Sequence, residues 1–318
     1  MGSRVLPLII IVGPTAVGKS AFGVALAKKL DGEIISGDSV QIYRRLNIGS
    51  AKPSVAERCG IVHHLIDCLD PDEPFSVVQF QSAVAELVRE IRARGRVPLL
   101  VGGTGLYIRA VIDEFGFAQQ GSAGIRAKWE AYLHEQGKEA LFHALMLCDP
   151  ASAQRLHPHD TLRIIRALEV YDLTGIPLSS QRDYGERVYP PLRTDIIYLG
   201  LTAPRDILYQ RINERCRTMY RQGLIAETLA LLQDGFAPTL KPLQSIGYRH
   251  AIWYIQGLVT ESEMLRLLAR DTRRFAKRQL TWFNRDPRIT WFDITLWDMP
   301  MLVDKVAQTC RGLETRVE

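Results

Sequence analysis

The chain has 318 residues, 47% hydrophobic and 24% charged, with a formal net charge of +5. That is an ordinary globular balance, long enough for a sizeable core and about two domains, and mildly basic in a way that permits a nucleic-acid partner without demanding one. Five scattered cysteines with no C-x-x-C pair exclude a disulfide frame or a zinc site and read as reduced thiols, and no apolar run approaches the ~20 residues of a membrane span.

Residues 5–12 form an apolar run behind Arg4. No small-residue cleavage site follows, and the run enters a Gly-rich loop directly, so it reads as a buried strand and not as a signal segment. Leu6 stands where N-myristoylation would need Ser or Thr. A cytoplasmic protein with no membrane attachment is expected. The loop leads to a helix over 19–30, a short strand at 33–36, helical periodicity over 75–94 and an apolar strand at 97–101. Strand–helix alternation of this kind implies a parallel sheet with helices on both faces. From 113 to 187 the pattern is helical (123–136, 140–147 and 161–173), broken by Gly and Pro. A strand at 195–201 and a helix over 204–220 then resume the first pattern, and helices dominate from 224 onward. The reading is a P-loop NTPase-like α/β core, 1–112 with 188–318, carrying an inserted all-helical domain, 113–187.

GPTAVGKS, residues 13–20, satisfies G-x-x-x-x-G-K-[ST] between a strand and a helix. Gly13 and Gly18 let the backbone turn several N–H groups inward, and the helix N-terminus adds its dipole. Lys19 supplies a mobile charge, and the Ser20 hydroxyl suits Mg²⁺. Gly13, Thr15, Ala16, Val17, Gly18, Lys19 and Ser20 are therefore the candidate diphosphate-binding set. Nothing in the loop reads a base.

Ligands of open parallel sheets bind beyond the carboxyl ends of the strands. Asp38 follows the second strand and Thr104 follows the third, so both should lie near the bound phosphates. Asp38 reads as a helix cap or turn residue, or as a general base or metal-shell carboxylate. Thr104, between glycines, reads equally as a plain turn. No strand ends in a convincing Walker-B acid, which counts against ATP hydrolysis. Arg211 and Arg215 share one helix face and can neutralise a leaving phosphate, or belong to a solvated helix beside Glu214. Arg266, Arg270, Arg273, Arg274 and Lys277 recur at helical spacing before Trp282 and Phe283, a pattern that suits RNA or a solvated surface helix. His157 and His159 flank a proline and read as loop residues.

Taken together, GPTAVGKS, ISGDSVQIYRRLNIGSAKP (35–53), HHLID (63–67), VGGTGLYIRA (101–110), DTLRIIRALEVYDLTGIPLS (160–179), RINERCRTMYRQGLIAE (211–227), QSIGYRHA (244–251) and KRQLTWF (277–283) resemble the tRNA dimethylallyltransferase family. The match runs in order from about residue 8 to residue 292. It departs at Asn284, where an arginine is expected, and the chain lacks the zinc-finger extension of longer eukaryotic members, so the resemblance is to the bacterial type.

The resemblance implies that the loop holds the diphosphate of dimethylallyl diphosphate, with Mg²⁺ and no ATP consumed. The acceptor is then the exocyclic amine of the adenosine 3′ to the tRNA anticodon. It implies catalytic roles for Asp38 (proton acceptor) and Thr104 (orienting the amine), with Arg215 ahead of Arg211 on the diphosphate. It further implies tRNA contacts from Ser39, Val40 and Gln41, from Leu162, Arg163, Ile164, Ile165 and Arg166, and from Gln244, Ser245, Ile246, Gly247, Tyr248 and Arg249, with Arg126 a looser match. The helical insertion would grip the anticodon stem-loop, and the enzyme would act as a monomer. The competing classes are a small-molecule kinase using the same loop with ATP, and a non-catalytic RNA-binding protein.

Overall fold

The structure is a computed structural model that describes residues 6–113, 123–180 and 189–314. Residue 5 of the expected first strand and the expected boundary at 187/188 lie outside these residues. In chain order the elements are β1 (Leu8–Val12), α1 (Lys19–Leu30), β2 (Gly32–Gly37), α2 (Val55–Arg58), β3 (His63–His64), α3 (Val77–Ala93), β4 (Val97–Gly102) and α4 (Gly105–Asp113). Then come α5 (Ala123–Cys148), α6 (Pro150–Arg155), α7 (Thr161–Thr174), β5 (Ile196–Thr202), α8 (Arg205–Arg221), α9 (Leu224–Gln233), α10 (Tyr248–Ile255), α11 (Glu261–Phe283), β6 (Thr290–Asp293) and α12 (Met299–Glu314).

The six strands form one sheet in the order β3-β2-β4-β1-β5-β6. Every pairing is parallel, from Ile34↔His63 at one edge to Leu199↔Thr290 at the other. A parallel sheet needs cover on both faces, and the strand sequences supply apolar side chains to each. Along β1, Ile9 and Ile11 enter one core with Phe22 and Leu26 of α1, while Leu8, Ile10 and Val12 enter the other with Phe80 and Val84 of α3. Ser76 and Gln79 close a capping box that fixes where α3 begins.

Two strands differ from the sequence reading. β3 is two residues long, too short for periodicity to reveal. β6 follows a run of four helices and extends the sheet past β5, so the stretch after 224 is not purely helical.

The chain divides into two compact units, Met1–Glu114 with Pro191–Glu318, and Phe115–Pro190. The second unit has its own core, in which Leu141 and Leu145 of α5 meet Ile164, Ile165 and Leu168 of α7. Gly137, at φ 83° and ψ 178°, breaks α5 into two helical pieces. Among the described residues no helix is long and apolar enough to cross a membrane.

Candidate active site

Because every strand runs the same way, the turns after β1, β2 and β4 leave one edge of the sheet, and these three strands are neighbours. The turn after β1 is Gly13–Gly18. Gly13 adopts φ 140°, and a Cβ there would lie 2.3 Å from the Leu201 carbonyl oxygen of β5, so only glycine fits. Ala16 (φ 66°) and Gly18 (φ 102°) carry the turn into α1 through the left-handed region.

Lys19 folds back over the loop, and its Nζ donates to the carbonyls of Gly13 (3.0 Å) and Pro14 (2.8 Å). Desolvation and the Arg215 guanidinium lower its pKa to about 7, against the opposing pull of Asp38.

Asp38 follows β2 directly. Its Oδ1 accepts the backbone N–H groups of Val40 (2.8 Å) and Gln41 (3.3 Å), so the turn role foreseen for it is real. Burial nevertheless pushes the carboxyl above its ordinary range, opposed by those two hydrogen bonds and by Lys19. A carboxylate that feels both desolvation and the loop lysine is placed for proton chemistry beside the loop.

Thr104 is half-buried at the start of α4. Its N–H donates to the Gly37 carbonyl (3.3 Å), and its own carbonyl accepts from Ile108 (3.1 Å). A Cβ on Gly102 would lie 2.3 Å from the Gly37 oxygen, so the ends of β2 and β4 touch backbone to backbone.

A cavity of about 1180 Å³ opens beside the loop. Ala16, Ser20, Arg211 and Arg215 line it, together with residues of the 47–58 segment; Asp38 and Thr104 do not. Arg215 Nη1 lies 3.5 Å from Thr15 Oγ1, and burial lowers its pKa. Arg211 is exposed. No group of three or more His, Cys, Asp or Glu side chains stands ready to hold a metal among the described residues. The Ser20 hydroxyl shares the cavity wall with Arg211 and Arg215 and with the carboxylates of Glu57, Asp67 and Glu214, and a hydroxyl at the head of α1 fits a divalent ion that arrives on its diphosphate and keeps several waters.

The positions implied to meet tRNA divide sharply. Leu162 and Arg163 are exposed, with Arg163 3.1 Å from Asp160. Arg126 (3.1 Å) and Arg166 (3.0 Å) both pair with the buried Glu169. Ile164 and Ile165 are core residues of the helical unit and offer no side chain to a ligand: the α7 period turns them inward. Ser39 is exposed. Val40 and Gln41 are half-buried, and Gln41 braces its own loop by donating to the carbonyls of Ser50 and Ala51 (3.3 Å each).

In the last segment Gln244 donates to the Pro238 carbonyl (2.7 Å), Ser245 to that of Pro242 (2.6 Å), and Arg249 to Asp271 (2.7 Å). Ile246 is half-buried. Gly247 and Tyr248 are buried, so neither offers an exposed side chain. The Tyr248 ring lies where a Cβ on Gly49 would stand, and its hydroxyl donates to Glu227 (2.6 Å). Nor is the basic stripe of α11 a free one. Arg266 pairs with Glu263, Arg270 and Arg274 lie against Asp271, and Arg273 donates to Asn213. His157 and His159 sit in the turn before α7, as expected of loop residues.

Two residues that the sequence reading passed over belong to this framework. Glu227 of α9 accepts the backbone N–H groups of Asn47 (3.1 Å), Ile48 (2.9 Å) and Gly49 (3.2 Å), holding the loop that walls the cavity. Gln279 of α11 bonds to Thr15 and to Gly103. A signal for Gln279 existed: it shares the buried face of α11 with Leu268, Thr272, Ala276 and Phe283, where an amide needs partners.

Comparison with known proteins bears on all of this. The family model described as IPP transferase matches residues 41–286, and that described as Isopentenyl transferase matches 6–72. A protein named tRNA dimethylallyltransferase from Desulfitobacterium hafniense is 59% identical over 98% of this chain and 99% of its own length. Its namesake from Carboxydothermus hydrogenoformans is 50% identical over 94% and 96%. Among solved structures, the tRNA isopentenylpyrophosphate transferase of Bacillus halodurans superposes with a TM-score of 0.71 at 43% identity, covering 97% of this chain and 96% of that one. A eukaryotic dimethylallyltransferase acting on tRNA reaches 0.80 at 27% identity, covering 97% of this chain and 80% of that one.

Proposed function

The chain belongs to the IPP transferase family, with the tRNA dimethylallyltransferases, and from that premise we propose how its residues carry out dimethylallyl transfer to tRNA. The donor is dimethylallyl diphosphate, and the acceptor is the exocyclic amine of the adenosine 3′ to the anticodon. The amine nitrogen forms a bond to the allylic carbon as the carbon–oxygen bond breaks, the diphosphate takes the bonding pair, and the nitrogen sheds a proton. The observation that supports this reading best is the strand-end arrangement, in which the loop lysine and a desolvated carboxylate act on each other's charge from the ends of β1 and β2, the two strands that flank β4.

An adenine amine is a weak nucleophile because its lone pair is delocalised into the ring. Asp38, with Oδ1 engaged by the turn, receives the proton on Oδ2 as the new bond forms. The Thr104 hydroxyl orients the amine. Lys19 leaves its carbonyl partners for the diphosphate, and together with the loop amides and Arg215 it stabilises the charge that grows on the leaving group. A divalent cation, Mg²⁺ in this proposal, held by Ser20 and the diphosphate, neutralises further charge there. To be reached, the adenosine must leave its stack, a cost of about a few kcal/mol that protein contacts offset. The anticodon stem-loop is the part of the tRNA recognised, with Leu162, Arg163 and Ser39 as exposed contact residues.

At the ends of β4 and β5 the kinase alternative lacks support. β4 ends at Gly102-Gly103 and β5 runs into Ala203-Pro204, neither offering an acid for the metal of ATP. Incubation with undermodified tRNA, Mg²⁺ and dimethylallyl diphosphate should yield isopentenyl-adenosine. No such product, with ATP-dependent phosphorylation of a small acceptor in its place, would overturn the proposal.

A further inference from the structure

Gln279 is 6% exposed, 264 residues from one of its partners and 176 from the other. Its Oε1 accepts the Thr15 N–H at 2.8 Å, and its Nε2 donates to the Gly103 carbonyl at 3.0 Å. The two partners fix which end of the amide is which, since an N–H requires the oxygen and a carbonyl requires the NH₂. Gly103 leaves the room: a Cβ there would stand 2.3 Å from Nε2. The Thr15 hydroxyl lies 3.5 Å from Arg215 Nη1, and Gly103 is the residue before Thr104.

We propose that Gln279 is a positioning residue that sets the phosphate loop in register with the turn carrying Thr104, and so fixes the leaving diphosphate relative to the attacking amine. The inference rests on the dimethylallyl-transfer reading above. Its chemistry is specific to an amide. An ionised Glu at 279 could accept from Thr15 but would face the Gly103 carbonyl with a second acceptor, and Met would fill the volume and satisfy neither group. Removing the bridge leaves the fold of each turn to its own backbone bonds but frees the turns to shift past one another. Small misplacements of this kind act on the rate of bond formation far more than on tRNA affinity.

The test is a double-mutant cycle between Gln279→Met and Thr104→Ala in the full-length protein. Product formation is followed in single turnovers, with tRNA affinity measured separately. Gln279→Met should slow the bond-forming step by about tenfold, the loss of one buried hydrogen-bonded bridge, with tRNA affinity unchanged. Thr104→Ala should then cost less in that background than in the wild type, because its hydroxyl is already out of register. Equal penalties for Thr104→Ala in the two backgrounds would overturn the proposal. If Gln279→Met loses its cooperative thermal transition, Gly103→Ala replaces it in the same cycle, since its methyl group displaces the amide from the opposite side. Calorimetry with inorganic pyrophosphate and Mg²⁺ gives a second reading. Affinity should fall several-fold in Gln279→Met, and an unchanged affinity would remove the loop from the bridge. That measurement needs no prenyl transfer, so it decides the bridge even where absence of wild-type product has already sunk the reaction assignment.

Discussion

The strand ends and the arginine-bearing helices solve binding in opposite ways. At the strand ends the parts are held by backbone: Gly37 against Gly102, Gly13 under Leu201, Asp38 on the amides of its own turn. Around α7 and α11 the cations are held by carboxylates: Arg166 and, from α5, Arg126 on Glu169, and Arg270, Arg274 and, from α10, Arg249 around Asp271. The first kind of site has its backbone set in advance, and only Lys19, bonded to the Gly13 and Pro14 carbonyls, has partners to exchange. The second must exchange one anionic partner for another, so an incoming phosphate gains only the difference between two ion pairs. A backbone-held site and a set of exchangeable cations match the small donor and the large acceptor of the proposed function.

The sharpest way to break this contrast is Asp38→Ala. Turnover should fall by about 10²–10⁴-fold, the range of a general base, while filter binding shows tRNA affinity unaltered. Turnover near the wild-type value would assign Asp38 to the turn alone. Next, Glu227→Ala strips the acceptor from three loop amides and the Tyr248 hydroxyl, and should cost about 2 kcal/mol in denaturant unfolding. A loss within experimental error would mean that water replaces the carboxylate freely and the cavity wall is not braced by it.

Lys19, at about 7, carries its charge below that pH and sheds it above. Diphosphate binding restores the charge, so binding above pH 7 takes up a proton, and affinity should weaken by up to about tenfold per pH unit there. Titration of pyrophosphate at pH 8 in buffers of different ionisation enthalpy reads that uptake, and Lys19→Met should lack it. The smallest effect belongs to Arg163→Ala, whose exposed ion pair with Asp160 makes it a replaceable phosphate contact. It should weaken tRNA binding by about a few-fold and lower the salt slope by ~1, leaving turnover of bound tRNA alone.

The long elements and the loop were readable from the sequence because their signals are local. β1, β2, β4 and β5 are apolar runs closed by Gly or Pro, and the phosphate loop carries its chemistry in eight consecutive residues. β3 and β6 were not, since two and four residues show no period, and pairing alone makes them strands. Motif windows misled where they crossed a helix: the stretch 162–166 necessarily presents some residues outward and turns Ile164 and Ile165 into the core. Gln279 and Glu227 stayed hidden for another reason, because their partners lie more than a hundred residues away in the chain.

The parallel sheet also governs the order in which this molecule can be made. β1 pairs with β4 on one side and with β5 on the other, and Leu8 meets Ile196 only after the whole 115–190 unit has intervened. At ~5–20 residues per second, a ribosome needs about ten to forty seconds between completing β1 and completing β5. For that interval the strand that feeds the phosphate loop has an open edge, and the loop lacks the Leu201 carbonyl against which Gly13 packs. Contacts so distant in sequence form late in folding. The proposed diphosphate loop is therefore complete only when the central strand gains its second neighbour.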